Sequence, residues 1–376
     1  MPSPTRRSLA VYASIGCVLA TLCLTSCSEP TARPEAGSST SPTPTLTPSP
    51  TSAPTVAPSP TAPLVPLSPL TGLEQATPAP VLVVKLDNTR NALPHAGLKD
   101  ADIVYIEEVE YGITRLAAVF NSVVPERIGP VRSARITDLD LLSQYGNPGF
   151  AFSGAQSKLW PAIDDSPLID LSANKAASDY QRDTSRRAPY NYFLNGKSAI
   201  EDHPEISLDT DIGFVFSAEP PPNGIVNKSA KVEWSYASAR FVYDPNKNQY
   251  AIDLNGERAT AEEEDGLQWA DTVVIQVVEQ TPSVYFDKGG GNTPHAKTIG
   301  SGTALILRDG FSYEAQWLRE SEDTGTTFSD VAGNPIPFKP GQTWVALYDK
   351  SRKIVVRPKP LKAPATPSVL ATPNPS

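Results

Sequence analysis

The sequence predicts a mixed α+β protein in two parts. An N-terminal α/β domain with a mixed sheet spans residues 70–218, and a mainly antiparallel β domain spans residues 225–357. Two patterns carry the prediction. In the first part, β-branched apolar runs alternate with short stretches of helical spacing. In the second, apolar runs pair across turn signals. A third observation concerns stability. All three cysteines lie at or before Cys27, so the folded part has no disulfide or thiol ligand and depends on an ordinary hydrophobic core.

The elements follow in chain order. Val81 to Leu86 (VLVVKL) is a buried-strand run, followed by Asp87-Asn88 and a turn-rich loop from Asn91 to Gly97. Ile103 to Ile106 and Ile113 to Phe120 are two further strands, separated by Glu107, Glu108, Glu110 and the breaker Gly112. Ile136, Leu139, Leu142 and Tyr145 share a helical spacing. Phe150 to Gly154 reads as a short strand and turn, Ser157 to Ile163 as a helical turn or two, and Ile212 to Phe216 as the last strand of this part. Glu219-Pro-Pro-Pro-Asn-Gly224 marks the boundary.

Beyond it, Ala239–Tyr243 and Gln249–Asp253 flank a Pro-Asn-Lys-Asn turn, and Asp271–Glu279 is a long apolar strand. Ala304–Arg308 and Phe311–Trp317 flank Asp309-Gly310, a hairpin signal because a type I′ turn needs positive φ. Thr343–Tyr348 and Lys353–Arg357 close the domain.

The ends of the chain carry an address. Arg6-Arg7 precedes an apolar run from Leu9 to Leu24, and Leu24-Thr25-Ser26-Cys27 has the form of a lipobox. Residues 1–26 are therefore expected to be a lipoprotein signal peptide, with the lipid on Cys27 anchoring the chain to the outer face of the cell membrane. Thr5-Arg6-Arg7 leaves twin-arginine export open beside the general route. Between Ser28 and Pro69 stand twelve prolines and no aromatic residue. A segment of that composition cannot bury enough apolar area to offset ordering entropy. Residues 27–69 are expected to be a disordered linker, and 358–376 a second Pro-rich disordered tail. Loss of Arg6 and Arg7 with the leader takes the net charge from −9 to −11. An acidic chain without a basic, aromatic-interleaved face is not expected to bind nucleic acid.

Several blocks resemble the YerB-like lipoproteins, a bacterial two-domain family of unknown function. They are VKLDN, PHAGLKDADIVYIEEVEYGITRLAAVF, IGPVRSAR, FSGA and YQRDTSRRAPYN, with Pro340-Gly-Gln-Thr-Trp344 similar to the closing motif. The resemblance spans roughly residues 80 to 350. Two positions depart from the family pattern. Tyr111-Gly112 stands where Gly-Gly precedes Ile-Thr-Arg, and Tyr190-Asn191 where His-Asn is frequent. The resemblance implies a lipid-anchored two-domain surface protein and supplies no established activity.

Candidate site residues concentrate around Ala101 to Arg135, where charge crowds the ends of two core strands. From Arg115 to Arg187 there are nine basic residues, seven of them Arg, against eight acids. Arginine suits bidentate recognition of carboxylate or phosphate, but the same residues can pair internally. Arg132 and Arg135, three apart after Gly129-Pro130, are the first candidates for ligand contact. Arg115, Arg182, Asp87, Asn88, Glu107 and Glu110 complete the set. Two of Asp87, Glu107 and Glu110 suit acid–base work on a glycan. The alternative is neutralisation of Glu110 by Arg115 across a hairpin.

Other motifs are incomplete. Ser172-Ala-Asn-Lys175 matches S-x-x-K, but Lys297-Thr298-Ile299-Gly300 is not K-T-G. Gly291 to Thr298 misses a P-loop at Ala296. His95, His203 and His295 lack metal-ligand spacing, so no cofactor or metal is expected. Trp234, Trp269, Trp317 and Trp344 suit either core packing or sugar stacking. The reading that follows is a non-catalytic lipoprotein that binds an anionic cell-wall polymer or an envelope protein through an Arg-rich cleft. The rival reading is an envelope hydrolase or transferase using Glu107 or Glu110.

Overall fold

A computed structural model describes residues 65–263 and 266–357. The expected signal peptide, Cys27, the linker up to residue 64 and the tail at 358–376 lie outside the described residues. The first strands are β1 (Leu82–Asp87), β2 (Ile103–Glu108), β3 (Thr114–Phe120), β4 (Gly149–Ala151), β5 (Ile169–Asp170), β6 (Tyr180–Arg182) and β7 (Tyr192–Leu194). Short helices α1 (Ile136–Leu142), α2 (Trp160–Asp164) and α3 (Gly196–Glu201) lie among them. The later strands begin with β8 (Ile225–Val226), β9 (Ser229–Glu233), β10 (Ser238–Asp244), β11 (Gln249–Leu254), β12 (Glu257–Arg258) and β13 (Trp269–Ala270). They continue with β14 (Thr272–Phe286), β15 (Asn292–Lys297), β16 (Gly300–Arg308), β17 (Phe311–Arg319), β18 (Thr327–Ser329), β19 (Thr343–Asp349) and β20 (Val355–Arg357).

Among the described residues, one twelve-stranded sheet runs in the order β18-β17-β16-β14-β19-β2-β3-β1-β4-β5, with β15 added to β14 and β8 to β17. Its first half is mixed: β1 and β2 flank β3 antiparallel, whereas β4 joins β1 parallel. The later strands are mainly antiparallel, as β14 is to β16 and β16 to β17. β19 is the exception. It lies between β14 and β2 and runs parallel to both, with Thr343 opposite Thr272 and Ile103. A second sheet has the order β12-β11-β10-β9-β20, with β13 on β11. The protein is thus mixed α+β and mostly β, as its sequence predicts.

The period of two along each strand sends alternate side chains to opposite faces. Leu82, Val84, Leu86, Val104 and Ile106 pack toward Phe241, Tyr250 and Ile252 of the second sheet. Val83, Ile103, Tyr105, Ala117 and Val119 pack with Leu139 and Leu142 of α1 and with Phe150 and Phe152. Asp309-Gly310 takes positive φ at both residues, as the hairpin signal requires, and Asn255-Gly256 does the same between β11 and β12.

Two expected elements differ. Ile212 to Phe216 is not a strand. Phe216 makes one isolated bridge to Phe338, and Gly213 at φ +85 interrupts the extended path. Its apolar alternation serves an aromatic cluster, with the Phe214 ring 4.8 Å from Phe338 and 5.9 Å from Phe328. β14 also runs seven residues beyond the expected end at Glu279, because its distal half pairs with β15 outside the main ladder.

Candidate functional site

At the ends of β1 and β2 the face covered by α1 changes from apolar to ionic. Register places Asp87 and Glu107 on either side of Arg115, and Lys85 continues the row begun by Val83. Lys85 Nζ lies 2.7 Å from Glu107 and 2.6 Å from Asp138 of α1. Lys85 and Asp138 are fully buried and Glu107 is 1 % exposed. Burial, followed by the Asp138 charge, pushes the Glu107 carboxyl up to about 8, with Lys85 opposing. Asp138 Oδ2 also accepts the Arg135 backbone N–H at 2.6 Å, fixing the start of α1.

Glu110 stands past the end of β2, in a single 3₁₀ turn. The strand has ended, so Glu110 turns to the same side as Glu107. Arg135 grips it with two hydrogen bonds, Nε at 2.6 Å and Nη2 at 2.8 Å. The Thr293 hydroxyl of β15 donates to the same carboxylate. Burial pushes Glu110 up, but Arg135 and Thr293 hold it below its ordinary value. The expected Glu110–Arg115 pair across the hairpin is therefore replaced by Glu110–Arg135. Arg115 is buried and donates to the Ser133 carbonyl at 2.6 Å. Burial, then Arg135 and Arg132, lower its pKa, although a guanidinium keeps its proton at neutral pH.

The remaining candidates have internal partners as well. Arg132 Nε lies 2.7 Å from Asp87, whose other oxygen accepts from Thr89 N at 2.7 Å and Thr89 Oγ1 at 2.5 Å. Asn88 donates to Thr114 Oγ1 at 2.8 Å. Glu108 departs to the opposite side and meets Arg352 at 2.7 Å. Arg182 lies apart from the cluster, exposed, 4.6 Å over the Tyr192 ring and 3.1 Å from Asn191 Oδ1. The structure thus brings Asp87, Glu107, Glu110, Arg115, Arg132 and Arg135 together on one face, joined largely to one another. Asn88 sits at its margin.

Open cationic surface lies elsewhere. The loop after β1 and the loop joining β6 to β7 face each other across a cleft of about 750 Å³. Arg90, Asn91 and Pro94 form one wall, and Arg186, Arg187 and Tyr190 the other. Arg186 is held by Glu262 at 3.0 Å and by the Ala92 and Pro94 carbonyls at 3.2 and 2.6 Å. Arg90 is exposed, with a loose 3.4 Å contact to Glu257 and a 2.9 Å bond to the Asn255 carbonyl. Arg187 is exposed and has no ion-pair partner among the described residues. Arg90 also lines an adjoining hollow of about 480 Å³, shared with Asn88, Trp234 and Tyr236.

Sequence reasoning counted Arg186 and Arg187 but did not place them in a site, and it passed over Arg90. The usable signal was a dibasic pair in a polar, Pro-flanked loop, where few acids stand close enough to pair. Trp234, Trp317 and Trp344 are buried, while Trp269 is partly exposed with Lys247 Nζ 4.8 Å over its ring. Ser172 is buried without a partner for Oγ, and Lys175 Nζ turns outward to Asp164 and Asp170 at 3.3 and 3.0 Å. That arrangement is not a nucleophile beside its base.

Fold and site together describe a mostly β, mixed α+β protein with an ionic layer under its first helix and an open arginine cleft beside it. The chain belongs to the DUF3048 family, described as proteins of unknown function. Residues 70–206 match its N-terminal domain and residues 230–345 its C-terminal domain. The chain is similar to "Putative lipoprotein YerB" of Bacillus subtilis (strain 168), at 26 % identity over 302 residues, 74 % of this chain and 85 % of the relative. The crystal structure of the YerB protein from Bacillus subtilis superposes with a TM-score of 0.66 at 21 % identity, covering 77 % of this chain and 99 % of that one. This likeness concerns the fold.

Proposed function

We propose that the protein is a lipoprotein, tethered through Cys27 to the outer face of the cell membrane, that binds an anionic envelope polymer in the Arg90–Arg187 cleft. The lipobox and the name of the Bacillus relative support the tether. Among the described residues no helix is long and apolar enough to cross a membrane. One observation carries the binding reading. Arg187 and Arg90 line the same cleft, one with no acid partner among the described residues and the other with a loose one. A cation without a partner on an acidic protein favours a ligand that brings its own negative charge. The carboxylates of the hydrolytic alternative are buried and paired, so the geometry favours binding over turnover.

The test uses the mature lipoprotein in detergent and purified cell-wall sacculi carrying their anionic polymers. Bound protein should fall steeply between ~50 and ~500 mM NaCl, since exposed charge contacts are screened. It should also fall for Arg90→Ala/Arg187→Ala. Salt-independent binding would refute the cleft as the contact. Equal retention on sacculi stripped of anionic polymer would overturn the reading and point to the peptidoglycan itself.

A further inference from the structure

The hollow that joins the cleft at Arg90 is built of different chemistry. It is lined by the aromatic residues Trp234 and Tyr236 and by the polar residues Asn88, Asn255, Ser235 and Ser238. Tyr236 is 77 % exposed, yet its backbone is fixed, since its N–H donates to the Gly112 carbonyl at 3.0 Å. Asn255 is fixed as well: Nδ2 donates to the Asn88 carbonyl at 2.5 Å and Oδ1 accepts from Ser238 N at 3.2 Å. The backbone that carries the Tyr236 ring and the Asn255 amide is therefore in place before any ligand arrives, which limits the ordering entropy lost on binding.

Not every polar atom in this wall has a partner among the described residues. Asn88 is 3 % exposed and donates through Nδ2, while its Oδ1 accepts no hydrogen bond among the described residues. The hollow thus offers an unpaired acceptor, further amides and hydroxyls, and an exposed ring. The one carboxylate in its lining, Glu233, pairs with Lys231 at 2.6 Å.

The geometry points to an anionic glycan as the ligand, with a pyranose ring against Tyr236 in the hollow and its acidic group reaching Arg90 and Arg187. This rests on the cleft reading and narrows it. A pyranose has an apolar C–H face that suits an aromatic ring and a hydroxyl edge that suits amides. A polyanion without sugar, such as polyphosphate, has no complement to that wall. An acidic peptide would bring charge but no ring of hydroxyls.

The experiment is a calorimetric titration of the mature lipoprotein in detergent. The probes are oligogalacturonate, oligomannuronate and hyaluronan fragments, with polyphosphate and polyglutamate of matched charge. At least one glycan should bind about tenfold tighter than either sugar-free polyanion, the scale of one good aromatic contact. Tyr236→Ala should remove that advantage and leave polyphosphate binding unchanged. Tyr236→Phe, which keeps the ring, should retain it. Arg187→Ala should weaken every polyanion. If glycans and polyphosphate bind equally and Tyr236→Ala changes neither, the glycan inference fails and the arginine cleft stands. Tighter binding of polyglutamate than of every glycan overturns it in favour of a protein partner. If Tyr236→Ala abolishes glycan binding while Arg187→Ala changes nothing, the cleft reading fails and the hollow alone binds sugar. Absence of binding to all five probes overturns both.

Discussion

Two sets of arginines meet opposite environments. Arg115, Arg132 and Arg135 sit over the ends of β1, β2 and β3, where Asp87, Glu107 and Glu110 come to the same face. Arg90 and Arg187 sit on loops whose nearest acids are few or loosely held. The first set is bonded inside the protein. A buried guanidinium that already holds a carboxylate with two bonds has little to gain from a ligand, and pulling it away leaves a charge unpaired. The second set keeps its charge facing solvent. The number of arginines in a stretch therefore says less about available charge than what is left after internal pairing.

The contrast can be broken by mutation, most severely at its centre. Lys85→Met leaves Glu107 and Asp138 facing each other in a dry layer, and urea unfolding should show a loss of about 3–5 kcal/mol. A loss below ~1 kcal/mol would mean that the layer is not held by charge. Arg135→Ala removes both bonds to Glu110 and should cost about 2–3 kcal/mol, read as an earlier unfolding midpoint.

Glu107 sharpens the comparison through pH. Its carboxyl titrates near 8 in the folded chain against an ordinary value of 4.5. Between those values the native state keeps a proton that the unfolded state releases, so stability falls as pH rises through that window. Glu107→Gln should flatten the slope between about pH 5 and 8 in pH-resolved unfolding; an unchanged slope would assign it to other groups. The smallest expected effect is on the other side. Arg90→Ala/Arg187→Ala should stay within about 0.5 kcal/mol of wild type in stability while losing salt-sensitive binding. Marked destabilisation of that variant would dissolve the distinction.

Much of the fold was legible because it is local. Val81–Leu86, Ile103–Ile106 and Thr343–Tyr348 are runs whose period and β-branching admit little else, and Asp309-Gly310 dictates its turn. What escaped depends on distant partners. The outer half of β14 is a strand only because β15 returns along it, and Ile212–Phe216 is not a strand because Phe328 and Phe338 claim its rings. The site divides the same way. Crowding of charge between Asp87 and Arg135 was visible, but not which carboxylate each arginine takes. That depends on Glu110 lying just beyond the strand end. The cleft was invisible because its walls lie far apart in sequence, with Arg186 reaching the Ala92 carbonyl 94 residues away.

The place of β19 sets a schedule for assembly. In a chain that emerges N-terminus first, β2 is made early and finds β3 at once, while its other edge presents unpaired N–H and C=O groups. That edge is closed only when Thr343 to Ala346 arrive, from the last strand of the large sheet. Pairing over so long a separation is slow to form, and an open edge invites association with other chains. A nascent chain stalled before Thr343 holds two exposed edges, on β2 and β14, with nothing of its own to place between them. The last strand thus acts as the clasp that ends the aggregation-prone interval of synthesis.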